Sequence, residues 1–545
     1  MSDPGAAPKT AMQKILDIVE KVGNKVPHPV IIFLALIAVV VVLSHILGLL
    51  GTSFTTEVIV PVAPAAGKPA AYEAAAYDTG ATVSYQTMDE KKYTVEKRTI
   101  VARSLLTVDG VRFVYSSLIP SFMGFTAVGL MIVALVGAGV AEESGLVKTL
   151  IRKLVVISPG WAMTYILAFV GILSSIAADA GYLVLIPLAG TAFLSLGRHP
   201  IAGLALGFAA VASAFTVNML IKPLDAVLVE FTNDAIHLVD PTKSIGLASN
   251  LWFSIASVVF LTFIVAFITE RMIEPRLGKY QPPESDGEQP AAEGTGLSAE
   301  EGRGLKFAGI GLAVTLGVFA LLTLPPGAPL RNPDTDELIG NSPFMNGLIA
   351  LIMVLFLVTG AAFGFGAGTM KNATDVIKAI EKTLAGMGGL IFLFLIISQF
   401  VAYFNYTNMG TLLALKLADV LKAANFPPLL LLIGFIVVVA LIDLLITGAI
   451  AKWALFAPIF VPLLINLGVA PEAVLAAYRV ADSPINSITP LNAYFALVVG
   501  FAQKYDANAG VGTVVSLMLP YVVIMMVLWT LLFAAWQIAG LPWGL

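Results

Sequence analysis

Seven uninterrupted apolar runs of about 20 residues constrain this chain more than any other feature. They lie at 29–50, 122–141, 249–270, 305–324, 344–366, 385–404 and 512–540. At ~1.5 Å rise per residue, each is long enough to cross a hydrocarbon layer of ~30 Å. Lipid offers the backbone no hydrogen-bond partner, so such runs must be helices. Composition agrees: 58% of the 545 residues are hydrophobic and 12% charged, against roughly a quarter charged in soluble domains. A net charge of −4 provides no basic surface for nucleic acid. The absence of cysteine removes disulfides, thiol chemistry and thiolate metal sites. The first run begins near Pro29 and is too long for a signal-peptide apolar region. Ahead of it, Met12, Ile15, Leu16, Val19 and Val22 recur at helical spacing among Lys9, Lys14, Lys21 and Lys25. Residues 1–28 are therefore expected to form a cytoplasmic amphipathic segment.

Three polar connections separate the runs: an external loop at 51–120, a flexible linker at 271–304 and a Pro/Gly/Asn-rich loop at 325–343. Two further regions are apolar but interrupted. In 161–197, two arms surround SSIAADAG, with Arg152 and Lys153 before them and Arg198 and His199 after. Positive flanks belong on the cytoplasmic side, so a segment with both ends there must enter and turn back. In 428–466, two arms surround TGAIAK with almost no basic flanks, which predicts a hairpin open to the outside. Two short transmembrane helices are the alternative for each region. After each hairpin comes a broken span: 201–232, interrupted at SAFTVN, and 473–503, interrupted at DSPINSITP. The expected fold is an all-α polytopic membrane protein with nine transmembrane helices and two opposed re-entrant hairpins. Its N-terminus is then cytoplasmic and its C-terminus external. The organisation expected is scaffold helices (29–160), a first transport core (161–232), a helix and cytoplasmic linker (233–304), second-half scaffold (305–427), a second core (428–503) and a last helix (504–545).

The halves echo each other. NMLIKPLD (218–225) resembles NSITPLN (486–492), AGYLVLIPL (180–188) resembles AKWALFAPI (451–459), and EESGL (142–146) resembles NMGTL (408–412). The offsets run from 266 to 271 residues. Five spans separate the hairpins, and an odd number inverts the second copy. Inverted repeats with broken helices point to a secondary transporter with a site near the midplane. Ionisable residues within spans are costly and are candidates for that site: Asp179, Asp225, Asp443, Lys452, Arg479 and Asp482. SAFTVN adds Ser213, Thr216 and Asn218; DSPINSIT adds Ser483, Asn486, Ser487 and Thr489. Plainer readings stand beside these. Arg479 and Asp482 could be an i, i+3 ion pair, Asp443 a structural hydrogen-bonding residue, Trp453 a packing residue and Pro471 a helix start. A channel or a membrane enzyme are the other functional classes. The four scattered histidines and the lack of HExxH give no support to a zinc protease.

The motifs SSIAADAGYLVLIPLAG, GRHPIAGLALGFAAV, NMLIKPLDAVL, AKWALFAPIFVPL and AYRVADSPINSITPL occur in order, and the chain over about 120–540 resembles the AbgT family of transporters. The resemblance implies a homodimer in the bacterial inner membrane, with nine helices and two opposed hairpins in each protomer. It implies transport of p-aminobenzoyl-glutamate or efflux of sulfonamides, driven by Na⁺ or H⁺ with no other cofactor. A dicarboxylate or short peptide is the alternative cargo. The family's functional residues fall on Asp225, Trp453, Pro471 and Arg479, to which the residue reading adds Asn218 and Asp179. On this reading Arg479 holds a substrate carboxylate or sulfonyl oxygen, Trp453 stacks on the p-aminophenyl ring, and Asp225 titrates or binds the amine. A Na⁺ site is implied at Asp443, Asp482 and Asn486. The chain departs from the family pattern at Asp443, where Asn is expected, and at Lys222, where Gly is expected.

Overall fold

The computed structural model describes residues 29–61, 93–176, 181–280, 297–339, 342–423, 426–444, 448–489, 492 and 494–545. The expected N-terminal amphipathic segment, Asp179 at the first hairpin tip and the middle of the 271–304 linker lie outside them.

The first half runs α1 (Pro29–Leu49), strands β1 (Ser53–Pro61) and β2 (Tyr93–Val101), α2 (Val108–Met123), α3 (Thr126–Glu143) and α4 (Leu146–Val156). The first hairpin follows as α5 (Met163–Leu173) and α6 (Ile186–Ser195), then the broken span α7 (Pro200–Ala212) and α8 (Pro223–Ile236), then α9 (Leu251–Ile268). The second half runs α10 (Ala299–Thr323), α11 (Leu348–Ala367), α12 (Ala373–Ala385), α13 (Gly388–Tyr406) and α14 (Met409–Ala423). Its hairpin is α15 (Pro428–Asp443) and α16 (Ala449–Asn466), its broken span α17 (Pro471–Ile485) and α18 (Phe495–Gln503), and α19 (Val511–Ile538) closes the chain. Each of the seven predicted apolar runs holds one long helix. Among the described residues the eighth helix long and apolar enough to cross a membrane is α16, an arm of the second hairpin. Seven long helices and two broken spans make up the nine expected.

Two boundaries differ from expectation. The helical run ending at Glu143 starts at Val108, inside the region read as loop: α2 and α3 together cover 36 residues, interrupted only at Gly124 and Phe125. Asp109, Arg112 and Pro120 dilute the hydropathy of its first turns, yet Thr107 caps it by accepting from Gly110 N at 3.1 Å. The same loop also forms an antiparallel pair, with Ser53 opposite Val101 and Phe54 opposite Ile100. Its β2 joins the second half through Arg103 N, which donates to Thr407 O at 3.1 Å. The linker, in turn, is shorter than read: α10 starts at Ala299, where Ser298 Oγ accepts from Glu301 N and Glu301 accepts from Ser298 N.

The repeat is visible in the backbone. At EESGL the chain turns from α3 into α4 through Gly145, φ +89°; at NMGTL it turns from α13 into α14 through Asn408, φ +58°. Both are left-handed, which Gly and Asn tolerate best. From α4 the chain bends by 118° into the first hairpin. Both arms of each hairpin pack against the broken helix that follows: α5 and α6 on α7, α15 and α16 on α17. Small residues permit that approach in the first half, where every residue of α7 is buried. A Cβ on Gly203 would collide with the carbonyl of Ala189 and the ring of Phe193. On the cytoplasmic flank predicted for this hairpin, Arg198 grips Glu274 through two bonds of 2.8 and 2.6 Å and Thr164 through a third of 2.8 Å.

Candidate functional site

The helix breaks face each other. Where α7 ends, Thr216 N donates to Ser483 Oγ at 3.0 Å, and the two hydroxyls are bonded as well. Ser213 Oγ donates to Ser487 Oγ at 2.8 Å, and Thr216 Oγ1 to the carbonyl of Arg479 at 2.8 Å. Thr216 and Ser483 stand 267 residues apart, the spacing that relates Asp225 to Asn492 in the aligned motifs. The two breaks thus meet at about the repeat spacing, so the axis relating the halves lies close to these two side chains, near the ends of α7 and α17.

Beside the axis sits an ion pair that joins the halves. Arg479 Nη1 donates to Asp225 Oδ1 at 2.5 Å and to Thr216 O at 2.7 Å, and Nε donates to Asn250 Oδ1 at 3.2 Å. The side chains are 3% and 11% exposed. Asp225, at the third position of α8, also accepts from Lys222 N at 2.8 Å, so one carboxylate caps a helix and neutralises an arginine. Pro223 opens α8 at a position where a missing N–H costs nothing. Lys222 is buried; its ammonium donates to Ser175 Oγ at 3.1 Å and to Phe215 O. Asn218 donates to Ser175 Oγ and Leu173 O, both at 3.0 Å, and fastens the first break to the first hairpin. Asn218, Leu220, Asp225, Asn250, Ser254 and Arg479 line a cavity of about 220 Å³. The enclosed space within it is only about 10 Å³, room for about one water, so no ligand-sized cavity is open at this site.

A second buried cluster lies on the adjacent face of α17. Lys452 Nζ donates to Asp482 Oδ1 at 2.7 Å and is bonded to Asp443 Oδ1; all three side chains are fully buried. Asp443 and Asp482, expected as Na⁺ ligands, instead hold this ammonium. Lys452, in the first turn of α16, reaches between Asp443 at the end of α15 and Asp482 on α17. Na⁺ at the same place would meet a positive charge, so the residues present do not fit it. Asn486 caps α17, its carbonyl accepting from Asn492 Nδ2 at 2.9 Å. Tyr478 stands beside the cluster, its hydroxyl 2.9 Å from Asp482 Oδ1 and 2.5 Å from Ala449 O.

Trp453 is fully buried. Its Nε1 donates to Leu228 O and Thr232 Oγ1, both at 3.0 Å, and its ring stacks on Tyr478 at 4.5 Å. It thus locks α16 to α8 across the repeat. Pro471 opens α17 two turns before Arg479. The structure brings Asp225, Asn218 and Arg479 into one site, and Asp443 and Asp482 into another. Sequence reasoning missed Asn250. It stands at the foot of an apolar run, where Asn reads as a cap; its Nδ2 instead donates to Glu472 O at 3.0 Å while its Oδ1 holds Arg479.

Opposed broken helices, a hairpin packed on each and one buried ion pair beside the axis between them define a membrane transporter. A family model described as "AbgT putative transporter family" matches residues 14–545. The p-aminobenzoyl-glutamate transport protein of Escherichia coli (strain K12) is 31% identical over 531 residues, covering 97% of this chain and 96% of that protein. The crystal structure of the YdaH transporter of Alcanivorax borkumensis, described as revealing an unusual topology, superposes with a TM-score of 0.82 at 40% identity, over 95% of this chain and 100% of that one. MtrF of Neisseria gonorrhoeae, described as illuminating a class of antimetabolite efflux pumps, gives 0.83 at 35% identity, over 96% and 97%. The chain belongs to the AbgT family of transporters.

Proposed function

We propose that this transporter carries p-aminobenzoyl-glutamate-like compounds or expels sulfonamide antimetabolites, by alternating access coupled to a cation, with Arg479 and Asp225 as the substrate site. The observation that carries the reading is the guanidinium of Arg479. It is buried beside the axis, and its only charged partner among the described bonds is Asp225. A carboxylate or sulfonyl oxygen of a substrate can take the place of Asp225 on that planar donor fork. Asp225, once released, is a buried charge without its counter-ion, and the substrate's amine or a proton neutralises it. Proton coupling is favoured over Na⁺ because Lys452 fills the carboxylate pair that Na⁺ would need. Trp453 is buried between α8 and Tyr478 here. It would reach a substrate ring only when α16 moves away from α8, so the stacking role belongs to another state of the cycle. Pro471 would fix where α17 begins and hence the reach of Arg479.

The relatives support the choice of cargo: one is a p-aminobenzoyl-glutamate transport protein and another is grouped with antimetabolite efflux pumps. We further propose a homodimer in the bacterial inner membrane, with the N-terminus cytoplasmic, the C-terminus external and scaffold helices at the dimer contact. Light scattering in detergent that gives one protomer mass would contradict the dimer. The functional test is counterflow in proteoliposomes with labelled p-aminobenzoyl-glutamate, a sulfonamide, a dicarboxylate and a dipeptide, under imposed pH or Na⁺ gradients. Exchange of the first two, driven by the pH gradient and lost in Arg479→Ala and Asp225→Ala, is expected. Wild-type rates in both variants would overturn the site.

A further inference from the structure

The Asp443–Lys452–Asp482 cluster ties together three elements: the end of α15, the start of α16 and the middle of α17. Asp443 Oδ2 and Asp482 Oδ2 are buried and accept no hydrogen bond. The charged and titratable groups around the cluster are already committed. Tyr478 shares its hydroxyl between Asp482 and Ala449 O, Arg479 on the next position of α17 is held by Asp225, and Lys222 is anchored on Ser175 and Phe215 O. Among the described residues, the ammonium of Lys452 is therefore the one cation serving these two buried carboxylates. Two like charges sharing a dry site demand such a counter-ion.

We infer that Lys452 is a tethered cation: it occupies the carboxylate pair between the second hairpin and α17, so Na⁺ does not bind there in this chain, and the pair becomes a Na⁺ site only when the ammonium is removed. A free ion and a lysine would both hold hairpin to helix, but they differ in what transport can do with them. An ion that leaves can be drawn down its gradient. An ammonium fixed to α16 leaves the carboxylates only by moving with the hairpin, and it returns with it. With the ammonium gone, the uncommitted oxygen of Asp482 and a side-chain oxygen kept at position 443 are what the site would offer an alkali cation, a hard ion that takes oxygen ligands. The inference leans on the transporter reading only for its consequence, that no Na⁺ gradient is tapped at this place. The binding statement stands apart from it.

The test uses the full-length protein in detergent and does not require transport. Thermal unfolding is followed in NaCl and in choline chloride at equal ionic strength. Wild type is expected to show no Na⁺-specific shift. The double variant Asp443→Asn/Lys452→Met removes the ammonium with one carboxylate. It is expected to gain a Na⁺-specific rise in Tm that grows with the logarithm of Na⁺ concentration, as a ligand bound only by the folded state requires once above its Kd. Should that variant not fold, Asp443→Asn alone decides. It keeps a one-to-one Lys452–Asp482 pair and is expected to stay indifferent to Na⁺; a Na⁺-specific shift in it overturns the inference. So does a Na⁺-specific shift in wild type that Asp482→Asn abolishes, or a folded double variant that ignores Na⁺. Failure of substrate counterflow alongside the expected Na⁺ responses would strike the cargo assignment and leave the tethered cation standing.

Discussion

Removing both partners of the Arg479–Asp225 pair should cost markedly less stability than the two single removals added together. The pair is nearly dry, 3% and 11% exposed, so salt and water screen it little. Arg479→Ala strands the Asp225 carboxylate and also orphans Asn250 Oδ1 and one bond to Thr216 O. Asp225→Ala strands the guanidinium and the N–H of Lys222. Breaking a buried pair by deleting one member costs about 3–5 kcal/mol. In the double variant no charge is stranded, so its loss should fall short of the sum by about 2–3 kcal/mol, within the range of coupling energies for contacting residues. The assay is reversible unfolding in mixed micelles, run as a double-mutant cycle beside counterflow in proteoliposomes. All three variants should be inactive, while the double variant loses less stability than the two single losses added together. That split separates a substrate site from a mere brace between the halves. A coupling energy within about 0.5 kcal/mol of zero, or transport by the double variant at the wild-type rate, would refute the reasoning.

Trp453→Phe keeps the stack on Tyr478 but removes the donor shared by Leu228 O and Thr232 Oγ1; the same unfolding assay should read a loss of about 1–2 kcal/mol, and about 3–5 kcal/mol for Trp453→Ala. Gly203→Val would drive a branched side chain into the Ala189 carbonyl, and about 1–3 kcal/mol or more of overpacking strain should appear as a lowered yield of monodisperse protein. His199 caps α7 by accepting from Ile201 N at 3.3 Å, which requires a neutral ring nitrogen, and burial lowers its pKa from the ordinary 6.5 against the pull of Asp506 and Glu274. The unfolded chain then binds the proton more readily than the folded one. The cap's contribution is therefore whole above pH 6.5 and is lost as pH falls towards the lowered value. Hydrogen exchange at 201–204, corrected for its intrinsic pH dependence, should speed up on going to acid in wild type and stay level in His199→Ser, whose hydroxyl caps at any pH.

What the sequence made legible, and what it hid, follows from the range of each interaction. Apolar length is local, so all seven long spans could be read from it; the helix from Val108 escaped because Asp109, Arg112 and Pro120 interrupt the signal and not the helix. The breaks were legible because proline and polar side chains mark them in sequence. Partnership was not. Arg479 and Asp482, three apart, invited a local pair, yet Arg479 joins Asp225, and Asp482 joins Lys452. At 3.6 residues per turn the two lie about 60° apart around α17. That is enough to set one towards the first break and the other, with Tyr478, towards the second hairpin. The repeat offset supplied the missing long-range information, and it did so unevenly. Near the axis, Thr216 of the first break meets Ser483 of the second. Away from the axis, Asp225 corresponds to Asn492 and Arg479 to Ala212, so the symmetric counterpart of the ion pair carries no charge. Inversion therefore duplicated the frame of hairpins and broken helices, while the buried Arg479–Asp225 pair has no charged counterpart. A frame with one such pair offers one arginine to one anionic group per protomer, and a variant that builds the second pair, Ala212→Arg with Asn492→Asp, should bury two more charges without adding a second substrate to the binding stoichiometry.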